Sequence, residues 1–322
     1  MLNKFTIMMK KFFLLFTAVL MTAGVMSAQD LNKAIEAANN GNDAFQLGDY
    51  ALALEQFQNS LTIAEGLGEE GAEHAETCKS AICNLHMAIA KNHYNDKNFT
   101  AAIDAFNKAK EVAAGFGKTE IVEEAGELAK NTQMNLYNSA AAVAKKAKNY
   151  AGAIENYKKV IEMDPANGAA LYQLGDSYYR MKNYDEAVNY CLAAKENGQE
   201  KNAVKMLSQI YLKKAQDGLK TKQYQDVIDN CTKSNEYLEN GNAYKLAASA
   251  AQKLGNNEQC IALYEKYLEV SPKAKDANGV ICTIAVLYQQ AGNKEKAVEY
   301  YEKIAADPQF GATAQEQLKV LK

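Results

Sequence analysis

The chain has 322 residues, 48% of them hydrophobic and 23% charged, with a formal net charge of −3. That is the balance of an ordinary folded chain, and its slight acidity argues against nucleic acid as the main partner. Only three prolines and no tryptophan occur, and so few helix breakers favour long helices.

The first 28 residues differ from the rest. Lys4, Lys10 and Lys11 precede an apolar run, Phe12 to Met26, which ends in Met26-Ser27-Ala28 before Gln29-Asp30. This is the layout of a secretory signal peptide, and the run is short for a membrane span of roughly 20 residues. The expectation is a periplasmic or secreted chain that begins at Gln29 and keeps no membrane span. Residues 29–130 carry 17 acidic and 8 basic side chains, and residues 131–322 carry 22 and 25. An acidic solvated face accounts for that asymmetry.

Further along, one three-residue signature recurs. It reads Gly48-Asp49-Tyr50, Lys97-Asn98-Phe99, Lys148-Asn149-Tyr150, Lys182-Asn183-Tyr184, Lys222-Gln223-Tyr224, Gly255-Asn256-Asn257 and Gly292-Asn293-Lys294. A small residue follows at a fixed distance, as in Ala53, Ala102, Ala153, Ala187 and Ala297. One helical turn later stands a larger one, as in Phe57, Phe106, Tyr157, Tyr264 and Tyr301. Residues four apart share a helix face, so the small one admits a neighbouring helix and the large one fills the space beside it. Before the signatures run helical stripes, most clearly Leu171, Leu174, Gly175 and Tyr178, and again Ile281, Ile284, Ala285 and Tyr288. Pro165, Pro272 and Pro308 each fall where the second helix of a unit should stop.

These residues resemble the tetratricopeptide-repeat family, whose pattern places Leu, Gly, Tyr, Ala, Phe and Pro at such intervals over 34 residues. Leu171, Leu174, Gly175, Tyr178, Ala187 and Ala194 follow it, as do Ile281, Ile284, Ala285, Tyr288, Ala297, Tyr301 and Pro308. The resemblance implies an all-α fold, a right-handed α-solenoid of about seven helix-turn-helix units. Its expected parts are a signal peptide at 1–28, long-helix units over 29–130, regular units over 131–308 and a capping helix over 309–322.

No catalytic constellation stands out. Gly66, Gly68 and Gly71 match a dinucleotide fingerprint in spacing, but no strand precedes them, and Glu69 and Glu70 would repel phosphate. Cys78, Cys83, His86 and His93 fall along one helical stretch, where four ligands cannot close a tetrahedron. The six cysteines read as buried small hydrophobes. The expectation is therefore no enzyme, no cofactor and no metal.

The resemblance also implies that the first helix of each unit lines a concave groove. Its phase puts Met87, Lys91 and Tyr94 there, then Asn138 and Lys145, then Tyr172, Asp176, Tyr179 and Arg180, and later Lys245. Amides can pair with an extended backbone, tyrosines give apolar area with a polar tip, and cations attract carboxylates. Asn138, Lys145, Tyr172, Tyr179 and Arg180 are the candidate peptide-binding residues. The expected function is a protein- or peptide-binding scaffold or adaptor of the cell envelope. The alternatives are an assembly factor for an outer-membrane or secretion complex and, from another class, an enzyme with an unrecognised site.

Overall fold

A computed structural model describes residues 25–322; the expected signal segment lies almost wholly outside the described residues. Among those described, every regular element is helical. They form two compact units, one ending at Leu136 and the other running from Tyr137 to Lys322.

The first unit contains α1 (Val25–Gln46), α2 (Tyr50–Gly66), α3 (Ala72–Asn95) and α4 (Phe99–Gly115). α5 (Thr119–Lys146) supplies the end of this unit and the beginning of the next. Helices α1 with α2, and α3 with α4, pack as hairpins. Phe57 and Phe106 are each 1% exposed, and Ala53 and Ala102 are wholly buried beside them. The glycine-rich stretch is a short 3-10 turn, Gly68–Gly71, between two helices. A phosphate loop needs a strand before it, so the turn is a connection only.

The second unit repeats the plan. Its helices are α6 (Tyr150–Met163), α7 (Gly168–Arg180), α8 (Tyr184–Ala194), α9 (Glu200–Lys220) and α10 (Tyr224–Tyr237). They continue with α11 (Gly241–Lys253), α12 (Asn257–Val270), α13 (Ala277–Gln290), α14 (Lys294–Lys303) and α15 (Gly311–Leu321). Hairpins α7/α8, α9/α10, α11/α12 and α13/α14 each pack on the next, and α15 covers α14. Gly175 is necessary at one crossing, because a Cβ there would lie 2.8 Å from Cys191 Sγ and 3.3 Å from the Ala187 carbonyl.

The recurring signature is the joint inside each hairpin, and its first two positions have physical tasks. Its first residue takes the left-handed conformation, with φ of +80° at Gly48, +75° at Gly255 and +74° at Gly292. Lys97, Lys148, Lys182 and Lys222 hold the same conformation at φ of 58–62°, a strain of about 1–2 kcal/mol for an L-residue. In five of the seven copies the side chain of the second residue caps the next helix, while Asn183 and Gln223 make no such bond. Asp49, Asn98, Asn149, Asn256 and Asn293 each accept a backbone N–H three residues ahead, which satisfies one orphan donor of the helix start.

Candidate protein-binding face

The face worth reading in the second unit lies where the end of α5 meets α7. Asp176 is its hub. The residue is only 8% exposed, and a buried carboxylate needs partners to offset lost hydration. Lys145 Nζ supplies one at 2.6 Å from Oδ2, and Arg180 Nε supplies the other at 3.3 Å from Oδ1. Gln173 Oε1 accepts a further bond from Lys145 at 2.5 Å. Lys145 was expected to offer its charge to a partner; the structure commits it to Asp176 and Gln173.

Arg180 is different. Its side chain is 54% exposed. Nε is held by Asp176, and the guanidinium lies 6.0 Å from the centroid of the Tyr179 ring. Its two terminal amino groups have no hydrogen-bond partner among the described residues. The geometry therefore leaves a positioned, half-exposed cation whose terminal amino groups are not committed to another described residue. Tyr179 also meets Tyr184, with ring centroids 6.1 Å apart. Tyr172 is half-buried and packs against the cores of α8 and α9. Burial, with Asp176 beside it, pushes the Tyr172 phenol up. Tyr172 thus forms a wall more than a free probe. Asn138 is half-buried on α5, at the place in its repeat that Tyr172 holds in the next.

Of the five predicted residues, Lys145 and Arg180 pair with Asp176, Tyr172 lies beside that carboxylate, and Tyr179 reaches it only through Arg180. The repeat phase places Asp176 on this face, but its role as the shared partner of Lys145 and Arg180 is visible only in the structure. The Arg180 half of that pairing had a signal, since Asp176 and Arg180 are four apart on a helix. Gln173 gave no signal. Two other expectations change. Met87 is buried, 4% exposed, among Ala90, Ala102 and Phe106, because its helix turns that side toward α4. Lys245 pairs with Asp276, to which Tyr267 also donates, at 2.5 Å.

Known proteins share the pattern. Residues 144–211 match a tetratricopeptide-repeat family model, and residues 232–273 and 279–305 match a second model of the same repeat. Those stretches of the chain are tetratricopeptide repeats. Among solved structures the chain is similar to a TPR repeats protein from Bacteroides fragilis, at 21% identity and TM-score 0.44, covering 59% of this chain and 99% of that one. It is similar to MamA at 20% identity and TM-score 0.36, covering 57% and 96%. It is also similar to YrrB, a TPR protein with an unusual peptide-binding site, at 20% identity and TM-score 0.32, covering 56% and 90%. Likenesses of this size extend to no ligand or partner.

Proposed function

We propose that the chain is a non-catalytic scaffold of the cell envelope that holds an extended protein segment along the first helices of its second unit. The observation that carries this reading is Arg180. A buried carboxylate and an aromatic ring fix its guanidinium, yet its terminal amino groups stay open to a partner. Such an arrangement takes a carboxylate, from an acidic side chain or a chain end, with little ordering left to do on binding. The tetratricopeptide repeats in residues 144–211 supply the helical frame. Export follows from the charged, apolar and small-residue layout of residues 1–28.

Two measurements test the reading. A partner captured from envelope extract is titrated against the native chain, Arg180→Ala, Arg180→Lys and Lys158→Ala on α6. Arg180→Ala should weaken binding by at least about 1 kcal/mol. Arg180→Lys should recover only part of that, because an ammonium lacks the planar fork, and Lys158→Ala should not matter. Equal affinities throughout would refute the role of this face. Mass analysis of the chain from envelope fractions should find Gln29 at the N-terminus, and a cytoplasmic chain retaining Phe12 would refute export.

A further inference from the structure

The face built around Asp176 has a counterpart at the far end of the second unit. Counted back from the residue that opens the second helix, Tyr184 in one repeat and Lys294 in the other, Tyr172, Asp176 and Arg180 correspond to Cys282, Val286 and Gln290. The repeat position is the same and the chemistry is reversed. Here a hollow of about 310 Å³ opens between α11, α13 and the start of α15. None of its lining residues is charged. Val286 and the half-buried Cys282 and Phe310 form its apolar wall, with the buried Leu287 behind. The Phe310 ring comes close because Gly279 has no side chain; a Cβ there would meet the ring at 3.3 Å. At the rim stand Gln252 and Gln290, both exposed, whose amides bond to no group among the described residues.

We propose that this hollow is a second anchor on the same face and takes one uncharged apolar side chain of the bound segment. The proposal rests on the reading of Arg180 given above for the identity of the partner as an extended segment. The absence of charge selects the occupant. A charged side chain would lose its hydration here and find no counter-charge, whereas an aliphatic or aromatic one covers Val286, an exposed apolar residue. Each amide can both donate and accept, so Gln252 and Gln290 can pair with the backbone on either side of that residue. An apolar floor with a few polar groups at its edge is the usual make-up of a binding pocket, and the volume lies at the low end of the usual range of roughly 300–1,000 Å³. The segment so defined carries a carboxylate where it passes α7 and an apolar residue where it passes α13.

The test uses the full chain with methyl labels and five blocked tripeptides, acetyl-Gly-X-Gly-amide, with X as Leu, Phe, Gly, Lys or Glu. The Leu and Phe peptides should shift the Val286 and Leu287 methyl resonances in a saturating way, and the other three should not. In Val286→Glu, at a position exposed enough to keep the fold, the Leu287 response to the Leu peptide should vanish. A common response to all five peptides, no response to any, or a response that survives Val286→Glu each overturns the proposal. Arg180→Ala should leave the Leu-peptide response unchanged. Loss of the Arg180 contribution to partner binding with this response intact would separate failure of the first anchor from failure of the second.

Discussion

Lys158 and Glu265 occupy equivalent places in two repeats, and each stands beside a pair of tyrosines at equivalent positions. Lys158 Nζ lies 5.8 Å from the centroid of Tyr178, which stacks on Tyr190 at 5.5 Å. Glu265 Oε1 accepts from Tyr288 at 3.2 Å and from Tyr300 at 2.6 Å, the two rings being 5.7 Å apart. Burial first, and then the Glu265 carboxylate, push the Tyr300 phenol up. One aromatic pair thus accepts a cation over its face or an anion at its hydroxyls. Replacing Glu265 by Lys removes the acceptor of two phenols, one of them only 8% exposed. We expect a loss of about 2 kcal/mol in chemical denaturation, the scale of hydrogen bonds to a charged group. Lys158→Glu, at an exposed side chain, should change stability by less than about 0.5 kcal/mol.

A second prediction concerns the seam between hairpins. Gly168 opens α7 against the loop that follows α8, and a Cβ there would fall 1.8 Å from the Asn197 carbonyl oxygen. No side-chain rotation relieves a clash with backbone. Gly168→Ala should therefore cost at least the roughly 1–3 kcal/mol typical of overpacking. Hydrogen exchange should show the loosening concentrated in α7 and α8, since a repeat array transmits stress mainly to neighbours. Uniform protection across the second unit would contradict this.

The lysines in left-handed turns predict a gain. Lys182 sits at φ +62° with its side chain exposed. Lys182→Gly relieves about 1–2 kcal/mol of steric strain and adds roughly 0.4–1 kcal/mol of unfolded-state entropy. A net stabilisation of up to about 1.6 kcal/mol should appear as a raised Tm. Lys182→Val, branched at Cβ, should lower it.

Acid should weaken the first unit through His74. Its Nε2 lies 2.9 Å from the buried Ser60 hydroxyl, which donates to the Ala34 carbonyl at 2.7 Å and lies 3.1 Å from Cys78 Sγ. Burial, the largest influence, holds the His74 pKa below its ordinary 6.5, with the Ala34 carbonyl partly opposing. Burial likewise lowers His86, with Lys108 adding to it. Well above pH 6.5 both rings are neutral in either state, and the stability they contribute is complete. As pH falls below 6.5 the unfolded chain takes up protons that the folded chain resists, so stability is lost until the folded-state pKa is passed. Denaturation midpoints measured from pH 8 to pH 5 should fall less steeply in His74→Gln than in the native chain. Parallel slopes would count against the assignment.

The helical hairpins were legible because their signals are local. A left-handed residue, an Asn cap and a small residue at the crossing lie within six positions, as in Lys148, Asn149 and Ala153, and each has one structural use. The chemistry of the face was harder to read. Whether Lys145 is free or paired depends on Asp176, 31 residues away and on another helix. Met87 was misplaced for a related reason. It stands as far ahead of its signature as Tyr172 does of its own, and only the packing of Ala102 and Phe106 against it shows that this copy of the position is covered. The partnership of Glu265 with two tyrosines could not be inferred from type alone, since Lys158 holds the same place elsewhere.

Five of the six thiols, Cys78, Cys83, Cys191, Cys231 and Cys260, are buried, and none is bonded to another. They are distributed over α3, which holds two, and α8, α10 and α12, which hold one each. Burial pushes the thiols of Cys191 and Cys231 up to about 12 and that of Cys260 to about 11. In the closed state they are poor nucleophiles, because the thiolate is the reactive form. Only an opening of the surrounding helices restores ordinary reactivity. The chain therefore carries its own clocks: the order in which these sulfurs acquire an alkylating label, read by peptide mass, ranks how often the hairpins that hold them breathe, without a single engineered reporter.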